Sequence, residues 1–298
     1  MHTVARLPFS ADALLDAQSR ADIGLFVIEK GRIVYVNDAL CRLFGHAPDE
    51  IQALPSYLEL IHPVDRERVA QNHQRRLQGM LFPNRYDISI ITKDGEKREA
   101  ELTASNLGSG DDPGVLVVLV DITERKRSEA QLQHYALHDA LTGLANRVLF
   151  FDRVNTAVAA AQRRGNAFAL LYLDLDDFKP INDTYGHEAG DLALRAVADW
   201  LSDCVRESDT VARLGGDEFV VLVNDTQDES AAITVAEKVI AVIAQPLPIE
   251  GCSHRIGCSV GIALYPHHGT DADSVMRQAD AAMYGAKRLG KNRYLMTK

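Results

Sequence analysis

Apolar and polar residues alternate from Gly24 to Val36, with Lys30-Gly31 between the two halves, and again from Arg85 to Asn106 around Lys93-Asp94-Gly95. A period of two puts successive side chains on opposite faces, and a glycine between two such runs supplies a tight turn, so two antiparallel hairpins are predicted. A third strand, Val115–Val120, follows Gly108–Gly114, a stretch of Gly, Ser, Asp and Pro that cannot continue regular structure. Short helices are predicted over Ala39–Phe44 and Asp65–Gln78. The chain up to Val120 therefore reads as an α+β unit built on an antiparallel sheet.

The pattern changes after Asp121. From Glu124 to Asp139 the sequence is charged and free of Gly and Pro, and Arg125, Glu129, Leu132 and Ala136 recur at 4-3-4 spacing. That predicts a linker helix with a coiled-coil seam whose apolar half is only C-terminal. Beyond Asp139 helices alternate with buried strands. The helices are Phe150–Arg163, one from Asp191 with Leu192, Ala196, Trp200 and Cys204 inward, Ser230–Ile243 and Asp280–Leu289. The strands are Phe168–Leu175, Thr210–Leu214, Phe219–Val223 and Ile256–Leu264. An α/β sheet covered by helices is predicted. The chain thus divides into residues 12–123, a linker over 124–138 and a second domain over 139–298.

Composition narrows the function classes. A length of 298 residues suits two domains, and 46% hydrophobic with 25% charged residues is the usage of soluble globular protein. A net charge of -10 opposes non-specific attraction to nucleic acid or to anionic lipid. A nucleotide ligand then needs a locally positive or metal-filled site. The apolar run Val115–Val120 is far short of the roughly 20 residues of a membrane-spanning helix, and residues 1–20 lack a signal-peptide core, so no membrane insertion and a cytoplasmic location are expected. Cys41, Cys204, Cys252 and Cys258 have no framework spacing, which favours free thiols. Cys252, His254 and Cys258 lack a fourth partner at zinc spacing.

Two acidic segments carry the candidate chemistry. In Leu173-Asp174-Leu175-Asp176-Asp177-Phe178-Lys179-Pro180-Ile181-Asn182-Asp183 a strand stops at clustered carboxylates, hard oxygen donors of the kind that hold Mg²⁺ with substrate phosphates. In Gly215-Gly216-Asp217-Glu218-Phe219 two acids share a glycine turn between apolar strands, an unfavourable place for like charges without a cation. One shared metal site is expected.

The first domain, with its order of hairpin, helices, hairpin and strand, with Val36-Asn37-Asp38-Ala39, Phe44-Gly45 and the closing Asp121-Ile122-Thr123-Glu124-Arg125, resembles the PAS sensor family. The alternative reading is a PAS fold that only dimerises. Its ligand is not named by the residues. His73 is a haem-ligand candidate or a surface histidine, and Cys41 lacks the Asn-Cys-Arg context of photoactive flavin domains. The second domain resembles the GGDEF family of diguanylate cyclases. The likeness runs through Asp139-Ala-Leu-Thr-Gly-Leu-Ala-Asn-Arg147, Gly186-His187, Gly190-Asp191, Arg213-Leu-Gly-Gly-Asp-Glu-Phe219, Ser259-Val-Gly-Ile262, Tyr284-Gly-Ala-Lys287 and Gly290-Lys-Asn-Arg293.

That resemblance implies a homodimer condensing two GTP into cyclic di-GMP. The side chains of Asp174 and Asp217 and the Leu175 carbonyl would hold Mg²⁺ or Mn²⁺, with Glu218 completing the acidic site. Asp217, Glu218 and Lys179 would carry the chemistry, Asp217 standing at the usual proton-acceptor position. Asn182 and Asp191 would read the guanine edge, a helix cap being the alternative for each. Lys179, Arg213, Lys287 and Lys291, with the backbone amides of Asp177 and Phe178, would hold the triphosphate. His187 either contacts the nucleotide or is satisfied within its loop. Arg206-Glu207-Ser208-Asp209 falls where many members carry an Arg-x-x-Asp site for inhibition by product, Arg206 and Asp209 being the key residues; the alternative is an exposed salt bridge. A second function class is an inactive receptor or scaffold for GTP or cyclic di-GMP, which degenerate motif residues would favour.

Overall fold

The computed structural model describes residues 10–80, 83–108, 114–226, 228–249 and 252–298. It divides into two units, Met1–Ala130 and Gln131–Lys298. In the first, helix α1 (Ala11–Arg20) precedes the hairpin β1 (Ile23–Glu29) and β2 (Arg32–Val36). Then come α2 (Asp38–Phe44), α3 (Pro48–Gln52), a 3-10 turn at Tyr57–Leu60 and α4 (Pro63–Leu77). Strands β3 (Arg85–Ile91), β4 (Lys97–Leu107) and β5 (Gly114–Asp121) complete an antiparallel sheet of order β2-β1-β5-β4-β3. Both predicted hairpins and the third strand are present, while most of the predicted turn over Gly108–Gly114 lies outside the described residues. Phe26, Ile28, Leu40, Phe44, Ile88, Ile90 and Leu119 form the core.

Asn37 shows why its motif sits where it does. Buried at the end of β2, its Oδ1 accepts from Leu25 N at 2.9 Å and from Leu40 N at 3.0 Å, capping α2 and fixing that helix to β1. His73, expected at the surface if not a ligand, is half-buried, with its ring centroid 5.1 Å from that of Tyr57. Burial, then Arg76, lowers its pKa. Cys41 packs partly buried against the core, and desolvation raises its thiol pKa.

Helix α5 (Thr123–Leu137) starts where Thr123 N donates to Asp121 Oδ1 at 2.8 Å. Every residue from Glu124 to Leu137, including the predicted seam of Arg125, Glu129, Leu132 and Ala136, is exposed in the single chain. The helix ends before Asp139 because the chain turns there, with Asp139 N donating to Leu144 O at 2.8 Å.

The second unit continues with α6 (Arg147–Arg164), β6 (Phe168–Asp176), α7 (Lys179–Cys204), β7 (Thr210–Gly215), β8 (Glu218–Val223) and α8 (Glu229–Ile243). The small hairpin β9 (Leu247–Ile249) and β10 (Cys252–His254) leads to β11 (Gly257–Tyr265), α9 (Ala272–Arg288) and β12 (Tyr294–Met296). The sheet order is β12-β11-β6-β8-β7, and only the β11–β12 pair is parallel. On edge strand β7, Ala145 forms a parallel bridge to Ala212, and Arg213 N donates to Ala145 O at 3.0 Å.

Strand β6 is buried along its whole length, as a central strand covered on both faces must be. Leu171, Leu173 and Leu175 join Val197, Leu201 and Val239 on the α7/α8 face. Leu170 and Tyr172 join Phe150, Val154 and Met283 on the α6/α9 face. Gly261 opposite Tyr172 is required, because a β-carbon there would overlap Ala279 O and Met283 N of α9.

Three helix expectations need correction. Leu192 is 54% exposed, and Ala193, Leu194, Val197 and Leu201 point inward instead. The short helix expected to open at Asp177 and Phe178 and the one expected from Asp191 are a single helix, α7, that begins at Lys179 and is broken at Gly186 (φ 82, ψ 168). Helix α9 begins at Ala272 rather than Asp280, because Asp271 and Ser274 form a reciprocal cap.

Candidate active site

The site grows from the end of β6. Because side chains alternate, Tyr172, Asp174 and Asp176 share one face with Glu218, opposite Asp174 on β8, and Ser259, opposite Asp174 on β11. Gly215 (φ 144) and Gly216 (φ 55) bend the β7–β8 turn, and Asp217 O accepts from Leu175 N at 3.2 Å. Asp174 is only 8% exposed, and Lys287 Nζ, delivered by α9, lies 2.7 Å from its Oδ1. Burial pushes the Asp174 carboxyl up and Asp217 and Glu218 add to this, while Lys287 pulls it down. Tyr172 lies on the same face, and burial, then the nearby Glu218 and Asp280 carboxylates, raises its pKa.

Cations flank this cluster. Asp177 takes a left-handed φ of 57, Phe178 opens α7, and Lys179 and Pro180 follow at its start, with Lys179 exposed. Lys291 Nζ lies 2.6 Å from Asp177 Oδ1. Arg213 is directed differently. Its Nε and Nη2 donate to Gly216 O at 3.0 and 2.8 Å, and Nη1 to Asp139 Oδ1 at 3.0 Å. The guanidinium thus braces the glycine turn from behind. Burial alone would raise the Asp139 carboxyl, but bonds from Thr142 and Arg213 outweigh it and hold it below the usual carboxylate range.

Asn182 and Asp191 stand on either side of the break in α7. The missing β-carbon of Gly190 makes room for the Asn182 amide, whose Oδ1 would overlap one. Neither residue is the N-cap of α7, a place taken by Phe178 without a side-chain bond. His187 is exposed just after Gly186.

Arg206 and Asp209 do not pair as side chains. Asp209 Oδ2 accepts from Arg206 N at 3.1 Å and Oδ1 from Asn224 N at 3.0 Å, which leaves the Arg206 guanidinium exposed. The two residues line a cleft of about 470 Å³ together with His138 and Arg153.

The donors around Asp174 are carboxylate and carbonyl oxygens, the set suited to Mg²⁺. Among the described residues no three His, Cys, Asp or Glu side chains converge into a closed metal cage. Mg²⁺ characteristically takes one or two carboxylates with substrate phosphates, so an open set fits that ion. Cys258 is buried in β11, His254 lies edge-on to Tyr185 at 4.5 Å, and the side chain of Cys252 lies outside the described residues. Sequence reasoning gave no role to Tyr172, Asp176 or Ser259. Their bonds join strands distant in the chain, and only the alternation of β6 hinted that Tyr172 and Asp176 share a face with Asp174.

Residues 136–293 match the family described as diguanylate cyclase, GGDEF domain, and residues 12–122 match the PAS fold. The bifunctional diguanylate cyclase/cyclic di-GMP phosphodiesterase MucR of Pseudomonas aeruginosa is 48% identical over 58% of this chain and 25% of its own length. The probable diguanylate cyclase DgcE of Escherichia coli is 37% identical over 97% of this chain and 26% of its own. The chain thus spans about a quarter of each of these relatives. A crystal structure of the coiled coil and GGDEF domain of DgcB from Caulobacter crescentus, in complex with c-di-GMP, is 35% identical with a TM-score of 0.53, over 58% of this chain and 92% of that one. No helix among the described residues is long and apolar enough to cross a membrane. By its second unit the chain belongs to the diguanylate cyclase GGDEF family, and by its first to the PAS fold.

Proposed function

We propose that the chain is a diguanylate cyclase that condenses two GTP into cyclic di-GMP as a homodimer, under control of its PAS unit and of its own product. The observation that carries this reading is the buried Asp174 carboxylate beside Asp217 and Glu218, with Lys287 against it and Asn182 and Asp191 on the adjoining helix. In the reaction the 3′-oxygen of one GTP bonds to the α-phosphorus of the other and the bond to the β-phosphate oxygen breaks. Two such steps release two pyrophosphates. One unit holds one nucleotide, so two copies must face each other.

Asp174, Asp217, Glu218 and the Leu175 carbonyl would hold Mg²⁺ or Mn²⁺, which when bound stabilises charge on the attacking and leaving oxygens. Lys179, Lys287 and Lys291 gather the triphosphate, and the amides of Asp177 and Phe178 face it at the start of α7. Arg213 holds the turn bearing Asp217 and Glu218 in shape. The Asn182 amide and Asp191 carboxylate pair with guanine O6, N1–H and N2–H, with His187 at the rim. Asp217 stands where the 3′-hydroxyl proton leaves. For the product, the exposed Arg206 guanidinium offers paired donors to guanine or phosphate, with Asp209 beside it. In the DgcB structure a related GGDEF domain is in complex with c-di-GMP.

Incubation of the protein with GTP and Mg²⁺ should yield two pyrophosphates per cyclic dinucleotide. Asp217→Asn or Glu218→Gln should lower turnover about 100-fold or more. ATP should be turned over at least about tenfold more slowly, because its N6 amino group and bare N1 leave Asn182 and Asp191 unpaired. A folded Asp217→Asn variant with full turnover would refute the acidic-site assignment. GTP binding without turnover in the wild type would identify a receptor instead.

A further inference from the structure

We propose that Asp176 is a positioning residue for the nucleotide's triphosphate, holding the loop that carries Lys291 against the end of β6. The inference rests on the nucleotide reading above and adds a residue that reading leaves unused.

Asp176 is the last residue of β6 and only 5% exposed. Its Oδ1 accepts from Ser259 Oγ on β11 at 2.8 Å, and its Oδ2 accepts from the backbone N of Asn292 at 2.8 Å. Both oxygens therefore face donors. A carboxylate held by a donor on each oxygen can anchor the two segments that supply them. The residue facing Asp176 on β11 is Gly257, where a β-carbon would lie 3.0 Å from Oδ2. The glycine gives the carboxylate room to lean toward the loop.

The loop needs an anchor. Gly290 (φ 114), Lys291 (φ 60) and Asn292 (φ 46) all have positive φ, a conformation that residues with a β-carbon hold only when their surroundings impose it. Lys291 N closes on Ala286 O at 3.2 Å and Val260 N on Arg293 O at 2.9 Å, so the helix end and β11 fix the two sides of the loop. The Asp176 bond fixes its middle. Across from it Asp177, also left-handed, meets Lys291 Nζ at 2.6 Å. Two neighbouring ties thus join the end of β6 to the loop, Asp176 to Asn292 and Asp177 to Lys291. The Asp177–Lys291 pair is exposed, so a phosphate can take Lys291 from it. The Asp176 tie is buried and persists, keeping the lysine beside the phosphate-facing amides of Asp177 and Phe178.

The test measures binding to the full chain, by calorimetry, of a non-hydrolysable GTP analogue and of GMP, which shares the guanine but lacks the outer phosphates. Asp176→Ala should weaken the analogue about tenfold and leave GMP unchanged. Asp176→Asn should restore binding to within about threefold, because its carbonyl can still accept from Asn292 N while its amide donates to Ser259 Oγ. Lys291→Ala should resemble Asp176→Ala, and the double variant should lose no more than Lys291→Ala alone. If Asp176→Ala does not fold, Ser259→Ala should shift the analogue in the same direction, about twofold, again sparing GMP. Equal weakening of both ligands, multiplying losses in the double variant, or wild-type affinity in folded Asp176→Ala would each overturn the role. A wild type that binds neither ligand would instead remove the nucleotide reading, and this inference with it.

Discussion

Asp209 commits both carboxylate oxygens to the backbone of its own neighbourhood, while Arg206, three residues earlier, has its guanidinium in solvent. On the reading proposed above, the two halves of the Arg-x-x-Asp motif would have separable duties. Arg206→Ala should leave the thermal midpoint within about 1 °C and abolish the slowing of turnover as cyclic di-GMP accumulates. Asp209→Ala should lower stability by about 1–3 kcal/mol, since two backbone donors lose their acceptor. If both variants melt like the wild type and slow with product as it does, neither duty exists. The motif was legible in the sequence because it is contiguous. Its use as a backbone brace was not, because the second partner, Asn224, lies on the far side of a strand pair. Arg213 repeats the lesson: a positive residue beside an acidic turn reads as a phosphate ligand, and only the fold puts Asp139 and the Gly216 carbonyl in its grasp.

At the level of elements, α9 and β11 act as one piece. Gly261 lets the helix backbone approach the strand so closely that no β-carbon fits, and from that seat Lys287 reaches Asp174. Gly261→Ala must push the helix off the sheet, so a loss of about 1–3 kcal/mol or more is expected in chemical denaturation. Turnover at saturating GTP should fall with it, because Lys287 withdraws. Unchanged stability would show that the helix moves freely over the strand. The strands of this unit were readable from buried apolar runs bounded by turn residues. Its helices were read less well. The stripe of Ala272, Val275, Met276, Ala279, Ala282 and Met283 carries helical spacing back past Asp280 to the Asp271 cap, and Gly186 joins the short helix that carries Asn182 to the long one instead of separating them.

For the whole molecule, the decisive element is α5, exposed along almost its entire length in the single chain, with Leu132 at 68% and Tyr135 at 60%. In the dimer proposed above, Leu132 lies in the predicted seam by which two copies would pair in parallel. Removing one residue turns a helix by about 100°, whereas removing seven nearly restores its phase. Single deletions between Arg125 and Gln133 should thus change basal turnover more than a seven-residue deletion does. Activity falling steadily with deletion length would mean that α5 is only a tether. The helix was legible in the sequence; its pairing in the proposed dimer is not, since a single chain does not contain a second copy. A different constraint comes from Ala145, which lies along β7 and occupies the middle of that strand's outer row of amides and carbonyls. Open edges recruit further strands and lead to fibres, and here one edge is guarded by the chain itself and the other is the three-residue β12. Crowded copies of this unit are therefore shielded from the edge-to-edge polymerisation that would draw the protein out of solution.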